Sequence, residues 1–382
     1  MSDKYYRDTV LEVDLDAITK NYLAIQRKNH DKTFIAVVKA DSYGLGAEVV
    51  SNHLAAKGVT FFAVATLDEA IALRMHGIKE KILVLGTIHP EHINKAIQHR
   101  IAVTAPNLSW VEAAIDKVDE KYDKKVWIHI KVNTGMNRYG TSDIEEIKTM
   151  INKINHYQRF IYEGIYSHFT SSDIESTATE EEYNEFKRIV EAVERPSYVH
   201  IANSGGALLL DEDFTTAVRS GISLYGYYPS LYTKENTTVK LQPSVRLVSQ
   251  ICAIHHLRKG ESVSYGRTYT ASDNETVATI PIGYADGLWR QHRGFHVKLK
   301  NENVPIIGTI CMDALIIKVP DNTKVGESVT IIDNSSDSDQ ALEKYSEYVD
   351  TISYEALCAL GRRLVRYYLT EDEKLVYNAI IN

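Results

Sequence analysis

Cysteine is scarce in this 382-residue chain: Cys252, Cys311 and Cys358 are the three, far apart and with no Cys-x-x-Cys pair. That count and spacing argue against a disulfide framework and a thiolate zinc site, and point to free thiols in a reducing cytoplasm. Basic clusters are missing too, since 43 Lys and Arg against 51 Asp and Glu leave a formal net charge of −8 with no cationic block. Nucleic acid is therefore not an expected partner, because neutralising phosphates takes clustered cations. No apolar run approaches the roughly 20 residues that span a bilayer, and the opening Met1-Ser2-Asp3-Lys4-Tyr5-Tyr6-Arg7 has no apolar signal core. No membrane association and a cytoplasmic location are expected. The 14 histidines form no His-Glu-x-x-His, and His255-His256 reads as a strand end or surface, so no catalytic metal is expected. Repeats, low-complexity tracts and long linkers are absent as well.

What is present is a change of pattern near residue 240. The chain is longer than one core usually supports, so a large domain over 1–240 and a smaller one over 241–382 are expected. Before the change, short apolar runs alternate with helical patterns: Phe34 to Val38, Phe61 to Ala65, Ile82 to Leu85, Ala102 to Thr104, Val126 to Val132, Ile161 to Ser167, Tyr198 to Ala202 and Ala217 to Val218. That number closes a (β/α)8 TIM-type barrel, with Val10 to Leu15 and a helix to about Lys28 ahead of it. Thr66 and Glu69 form a capping box at one helix start, and Gly77 ends that helix. After the change come runs at Val245 to Ile254, Thr276 to Ile282, His296 to Lys300, Val304 to Ile310, Leu315 to Val319 and Val329 to Ile332, which predict a mostly antiparallel β domain. The fold class is thus α/β, a barrel followed by a C-terminal mostly β domain with one late helix through Tyr354-Cys358.

Lys39 stands where the buried-strand pattern Phe34 to Val38 stops, and Gly44 and Gly46 then lead into a helical pattern ending near Gly58. On strand context alone, a lysine there is ordinarily one that snorkels out of a strand end. Yet Lys39, Arg138, His168, Asn203-Ser204 and Arg219 all follow predicted strands, and barrel enzymes build their sites at that end. One shared pocket is the natural reading.

Several segments resemble the alanine racemase family. Val37-Val38-Lys39-Ala40-Asp41-Ser42-Tyr43-Gly44-Leu45-Gly46 resembles its Val-Val-Lys-Ala-Asn-x-Tyr-Gly-His-Gly, departing at Asp41 and Leu45. The resemblance implies that Lys39 carries pyridoxal 5′-phosphate (PLP) as a Schiff base. Lys131-Val132-Asn133-Thr134-Gly135-Met136-Asn137-Arg138-Tyr139-Gly140 is similar to Lys-Val-Asp-Thr-Gly-Met-Gly-Arg-Leu-Gly, with Asn133 and Asn137 departing from it. It implies that Arg138 meets the substrate carboxylate and that Lys131 is a carbamylated lysine holding it. Tyr166-Ser167-His168-Phe169 implies a histidine between the cofactor ring and a tyrosine base. Arg219-Ser220-Gly221-Ile222 matches Arg-Pro-Gly-Ile except at Ser220, with Arg219 facing the pyridine nitrogen. Tyr43, Ser204, Gly221, Ile222 and Tyr354 match the phosphate-binding set; the hydroxyl and helix-start amides of Asn203-Ser204-Gly205-Gly206 suit it physically.

Ser262-Val263-Ser264-Tyr265-Gly266 matches the segment carrying the second base, Tyr265, and Cys311-Met312-Asp313 one whose Met312 amide contacts the substrate carboxylate. Tyr284 belongs to a further family signature, and Thr309 stands where many members carry arginine. The family places Tyr265 and Met312 against the lysine of a second subunit, implying a homodimer with shared sites. Inverting a stereocentre is simplest with one base on each face, which suits Lys39 with Tyr265. A phenol ordinarily ionises near 10, so a His168 to Arg219 hydrogen-bond chain is the expected support. A guanidinium only donates, so Arg219 leaves the ring nitrogen unprotonated and the ring a weak electron sink, favouring proton return over transamination. The implied activity is interconversion of L- and D-alanine, supplying D-alanine for peptidoglycan. A racemase of serine or another small amino acid is the near alternative. A decarboxylase of the same architecture would need an acid near the ring nitrogen, and a PLP carrier would have little use for Tyr265.

Overall fold

Eight strands, each buried on both faces, make the first sheet of the computed structural model, which describes residues 6–119 and 121–381. The stretch Met1 to Tyr5, read above as lacking a signal core, lies outside the described residues. In chain order, β1 is Val10–Asp14, β2 Thr33–Val37, β3 Phe61–Val64, β4 Lys81–Val84, β5 Ala102–Ala105, β6 Val126–Lys131, β7 Phe160–Tyr166, β8 Tyr198–His200 and β9 Ala217–Ser220. Strands β2 to β9 pair in parallel in the order β8-β7-β6-β5-β4-β3-β2-β9. Two backbone bonds, Thr216 N to Val199 O at 2.8 Å and Arg219 N to Ala202 O at 3.1 Å, join β8 to β9, so the barrel is nearly closed. The apolar runs are buried because helices cover the outside and side chains fill the inside. Thr66 and Glu69 form the expected capping box at the start of the helix Leu67–Met75.

The second half carries β10 Val245–Gln250, β11 Ala253–Leu257, β12 Ser262–Val263, β13 Tyr269–Thr270, β14 Glu275–Ile280, β15 His296–Leu299, β16 Glu302–Ile307, β17 Leu315–Val319, β18 Ser328–Ile332, β19 Val365–Leu369 and β20 Lys374–Tyr377. Ten strands form one sheet in the order β11-β14-β17-β16-β15-β18-β10-β1-β19-β20. The expected boundary at 240 therefore needs correcting at its N-terminal side. β1 belongs to this sheet, antiparallel to β10 and parallel to β19. Its alternation hides the side it takes, because a short apolar strand pairs equally well with either sheet. The run from Val245 to Ile254 is also two strands rather than one. At Ile251 and Cys252 the chain leaves β18 for β14, with Ile251 N bonded to Glu327 O and Cys252 N to Thr279 O. The helix Ser353–Ala359 is the late helix expected. Among the described residues no helix is long and apolar enough to cross a membrane, and all three cysteines are free.

Candidate active site

Lys39 follows the end of β2 and opens a turn of unusual hand. Ala40, Asp41, Ser42 and Tyr43 have φ of +52°, +56°, +52° and +57°. Such a left-handed run costs roughly 1–2 kcal/mol per non-glycine residue, so neighbours must hold it. They do so from three sides. The Glu69 carboxylate accepts from Ala40 N at 2.6 Å while its other oxygen accepts from Ala65 N and Thr66 N. Asp41 accepts from Ala47 N at 2.7 Å. From β19, Arg366 donates twice to Gly44 O, at 3.0 and 2.6 Å, and Tyr368 donates to Leu45 O at 2.9 Å. The turn expected at the two glycines thus begins four residues earlier, on residues that sequence propensity would not choose. A Cβ at Gly46 would stand 1.9 Å from the Tyr368 hydroxyl, which explains that glycine.

Cations converge around Lys39. Burial, then the Arg138 charge and to a lesser degree that of Arg219, push the Lys39 amine down, while Cys358 and Glu69 oppose them. Lys131, at the end of β6 and 4% exposed, donates to Val132 O at 2.7 Å and is pushed down to about 7, first by burial, then by Arg219 and Arg138. His168 lies well below its ordinary value through burial and the charges of Arg219, Lys131, Arg138 and Lys39. Arg219, fully enclosed, comes down to about 10 through burial. Its Nη2 donates to His168 Nδ1 at 3.0 Å, Ser167 O at 2.8 Å and Ile201 O at 3.1 Å; its Nη1 donates to His200 Nδ1 at 2.7 Å. The expected Arg219 to His168 bond is present. So concentrated a positive field suits a ligand bearing phosphate and carboxylate.

The loop after β6 explains two departures from the family pattern. Asn137 sits at φ +54°, where the family's glycine would be comfortable and asparagine is the tolerated substitute. Asn133 ties it down, its oxygen accepting from Asn137 N at 2.9 Å and its amide donating to Asn137 Oδ1 at 2.9 Å. Arg138 beyond it is exposed at the pocket rim.

A small cradle lies on the other side. Ser204 Oγ accepts from Gly221 N at 2.9 Å, and a Cβ at Gly221 would stand 2.2 Å from the Tyr43 hydroxyl. Ile222 follows Gly221, and the Tyr354 ring stands 6.2 Å from that of Tyr43. The helix after Asn203 has six residues, so the hydroxyls and loop amides matter more here than a helix dipole. Hydroxyls and amides around a space that a methyl group would fill fit a phosphate monoester; with the amine of Lys39 beyond, the residues present fit PLP.

Tyr265 and Met312 are not brought to this pocket within one chain. Tyr265 is 73% exposed and Met312 50%, on the β domain. Tyr265 and Tyr284 line a separate open cavity of about 1030 Å³ with Trp289, Arg290 and Thr309. Sequence reasoning missed His200, His129 and Glu163 beneath Arg219, and the staple that Glu69 makes to Ala40. Only Glu69 left a signal, its capping box.

The alanine racemase N-terminal domain family matches residues 13–229, and the alanine racemase C-terminal domain family matches 244–368. The chain belongs to the alanine racemase family. An alanine racemase of Macrococcus caseolyticus is 49% identical over 381 residues, covering 100% of both chains, and one of Staphylococcus epidermidis is 47% identical over the same span. A crystal structure of alanine racemase from Bacillus anthracis with bound L-Ala-P superposes with a TM-score of 0.93 at 34% identity, covering 98% of this chain and 99% of that one. The racemase reading of the motifs and the barrel with its β domain agree with these relatives; the enzyme is an isomerase of amino acids, interconverting L- and D-alanine.

Proposed function

We propose that this racemase works with PLP on Lys39, in sites completed by a second copy of the chain. The observation that carries the reading is the convergence of Lys39, Lys131, Arg138, His168 and Arg219 beside the Ser204, Gly221 and Tyr43 cradle. When bound, PLP supplies an aldehyde carbon and an electron-withdrawing ring that make the α-proton of an amino acid acidic. Tyr43, Ser204, Gly221, Ile222 and Tyr354 hold its phosphate. Arg219 meets the ring nitrogen as a pure donor, and among its own bonds there is no carboxylate of the kind a decarboxylase would place there. Arg138, with its planar fork, orients the substrate carboxylate. Lys39, whose basicity burial and the neighbouring arginines lower, takes or returns the α-proton at Nζ, and Tyr265 Oη does the same from the opposite face.

Tyr265 reaches that face only from a partner, and its exposure together with that of Met312 supports a homodimer with shared sites. A neutral Lys131 is a nucleophilic amine, so its carbamylation is supported by its depressed basicity; the resulting anion would sit between Arg138 and Arg219. Three free thiols accord with a cytoplasmic enzyme making D-alanine for peptidoglycan. The test is the purified holoenzyme with L-alanine in deuterated water. Loss of optical rotation with deuterium at Cα is expected. Carbon dioxide release would favour the decarboxylase, neither product would favour a carrier, and faster turnover of L-serine would favour the alternative substrate.

A further inference from the structure

The barrel interior is ordinarily filled by apolar layers, yet beneath Arg219 it holds two histidines and a glutamate. His200, on β8 and 0% exposed, bonds through Nε2 to His129 Nδ1 at 3.1 Å. His129, on β6 and 0% exposed, bonds through Nε2 to Glu163 Oε2 at 3.2 Å. The other oxygen of Glu163, on β7, takes the ammonium of Lys81 at the start of β4, where that side chain is 44% exposed. The backbone is shaped for this line. A register shift between Ile128 and His129 sets His129 opposite Gly164, and any Cβ at Gly164 would stand 2.2 Å from His129 Nδ1. The Tyr166 ring lies flat on His200, centroids 4.9 Å apart at 6°, and its hydroxyl is fixed by Leu85 O and Thr104.

We propose that His200, His129 and Glu163 are positioning residues that form a one-way hydrogen-bond line through the barrel, holding Arg219 as a donor toward the ring of the cofactor. The direction follows from donor counting alone. A guanidinium has no acceptor, so His200 Nδ1 must be bare and its proton must sit on Nε2. That proton occupies His129 Nδ1, which leaves the His129 proton on Nε2, facing the carboxylate. Both rings are then neutral with the same tautomer, as burial favours for each. The donor-only Arg219 at one end and the acceptor-only Glu163 carboxylate at the other enforce this order together. With no acceptor at Glu163, the rings could reverse, and a proton on His200 Nδ1 would face an Arg219 N–H. Arg219 would then lose one of the bonds that fix its plane. This rests on the reading of Arg219 as the group facing the ring.

The test is ¹⁵N NMR of histidine rings in the holoenzyme, alongside kinetics of Glu163→Leu and Glu163→Gln. His200 and His129 are expected as neutral Nε2–H tautomers from about pH 6 to about pH 8. A cationic or Nδ1-protonated ring in the wild type overturns the line. Glu163→Leu is expected to lower kcat about tenfold with KM for L-alanine little changed, and to alter the absorption band of the bound cofactor. The scale is that of outer partners that fix a histidine's tautomer at metal sites. Glu163→Gln, which still accepts from His129, is expected to restore most of kcat. Both variants lose the Lys81 ion pair, so equal kinetic losses in the two would mean a merely structural role and overturn the proposal. Arg219→Lys is the control: an unchanged cofactor band there would refute the placement of Arg219 against the ring, while the NMR result would still decide the line.

Discussion

The Thr309 hydroxyl donates to the backbone carbonyl of Tyr265 at 3.0 Å. It also bonds Thr268 Oγ1 at 3.0 Å, where Thr268 must be the donor because the Thr309 proton is committed to Tyr265. The loop so fastened is strained, with φ of +65° at Ser264 and +47° at Arg267. Thr309 occupies the position at which the family resemblance leads one to expect arginine, and here its work is to hold the loop that presents the phenol. Thr309→Val keeps the shape and removes the hydroxyl. A hydrogen bond of this kind is worth about 1 kcal/mol, so kcat is expected to fall about fivefold. Thr309→Ser should recover it. Steady-state kinetics on L-alanine check both, and a Thr309→Val enzyme of unchanged kcat would remove this role.

Lys39 opens the turn after β2 and Tyr265 is 73% exposed on the β domain, and the proposed shared sites bring the two bases together when copies pair. Lys39→Ala and Tyr265→Ala are each expected to lose nearly all activity. Mixed, dissociated and allowed to reassociate, they form dimers in which one of two sites has both bases. Random pairing then returns about a quarter of the wild-type specific activity. Recovery of nothing on mixing, with heterodimers shown to form, would mean that each chain builds its site alone.

Gly221→Ala probes the cradle. The added methyl would stand 2.2 Å from the Tyr43 hydroxyl, and Tyr43 is packed between Tyr225 and Tyr354 with little room to give way. Overpacking of this kind costs about 1–3 kcal/mol, so affinity for PLP is expected to fall roughly fivefold to 150-fold. Pyridoxal, which lacks the phosphate, should bind the variant and the wild type alike. Absorbance titration of the cofactor-free protein with each compound distinguishes loss of the cradle from a general collapse of the pocket.

The fold was legible where period and burial agree. Eight apolar runs of strand length spaced by helical patterns mark a parallel α/β fold of the strand number that closes a barrel, and Thr66 with Glu69 marks its helix start on local chemistry alone. What escaped depends on long-range partners. β1 is apolar enough for either sheet, and its place beside β10 and β19 is fixed by residues more than 200 positions away. The left-handed turn at Ala40 to Tyr43 runs against the preference of each residue in it; its cause lies in Glu69, Arg366 and Tyr368. The site motifs stood out because they recur in a family, whereas His129 and His200 look like any strand histidine until the barrel closes and sets them end to end.

Lys131 gives the pH dependence. Its amine is held at about 7 in the folded chain by burial and by Arg219 and Arg138, against an ordinary 10.5. Between those two values the unfolded chain binds the extra proton and the folded one does not, so raising the pH across that window favours folding. Below about 7 both states carry the charge and the folded protein bears the full cost of burying it. Relative to Lys131→Met, which does not titrate, the wild type in carbonate-free buffer is expected to gain stability from pH 7 to 9. The slope is at most about 1.4 kcal/mol per pH unit. A carbamylated Lys131 no longer titrates as an amine, so bicarbonate should flatten the difference, and ¹³C-bicarbonate should give a carbamate resonance that Lys131→Met lacks. Denaturation midpoints for the two proteins, with and without bicarbonate, check the sign. A difference that stays flat from pH 7 to 9 in carbonate-free buffer would mean that Lys131 keeps its proton in the folded protein and stands as a plain cation beside Arg138.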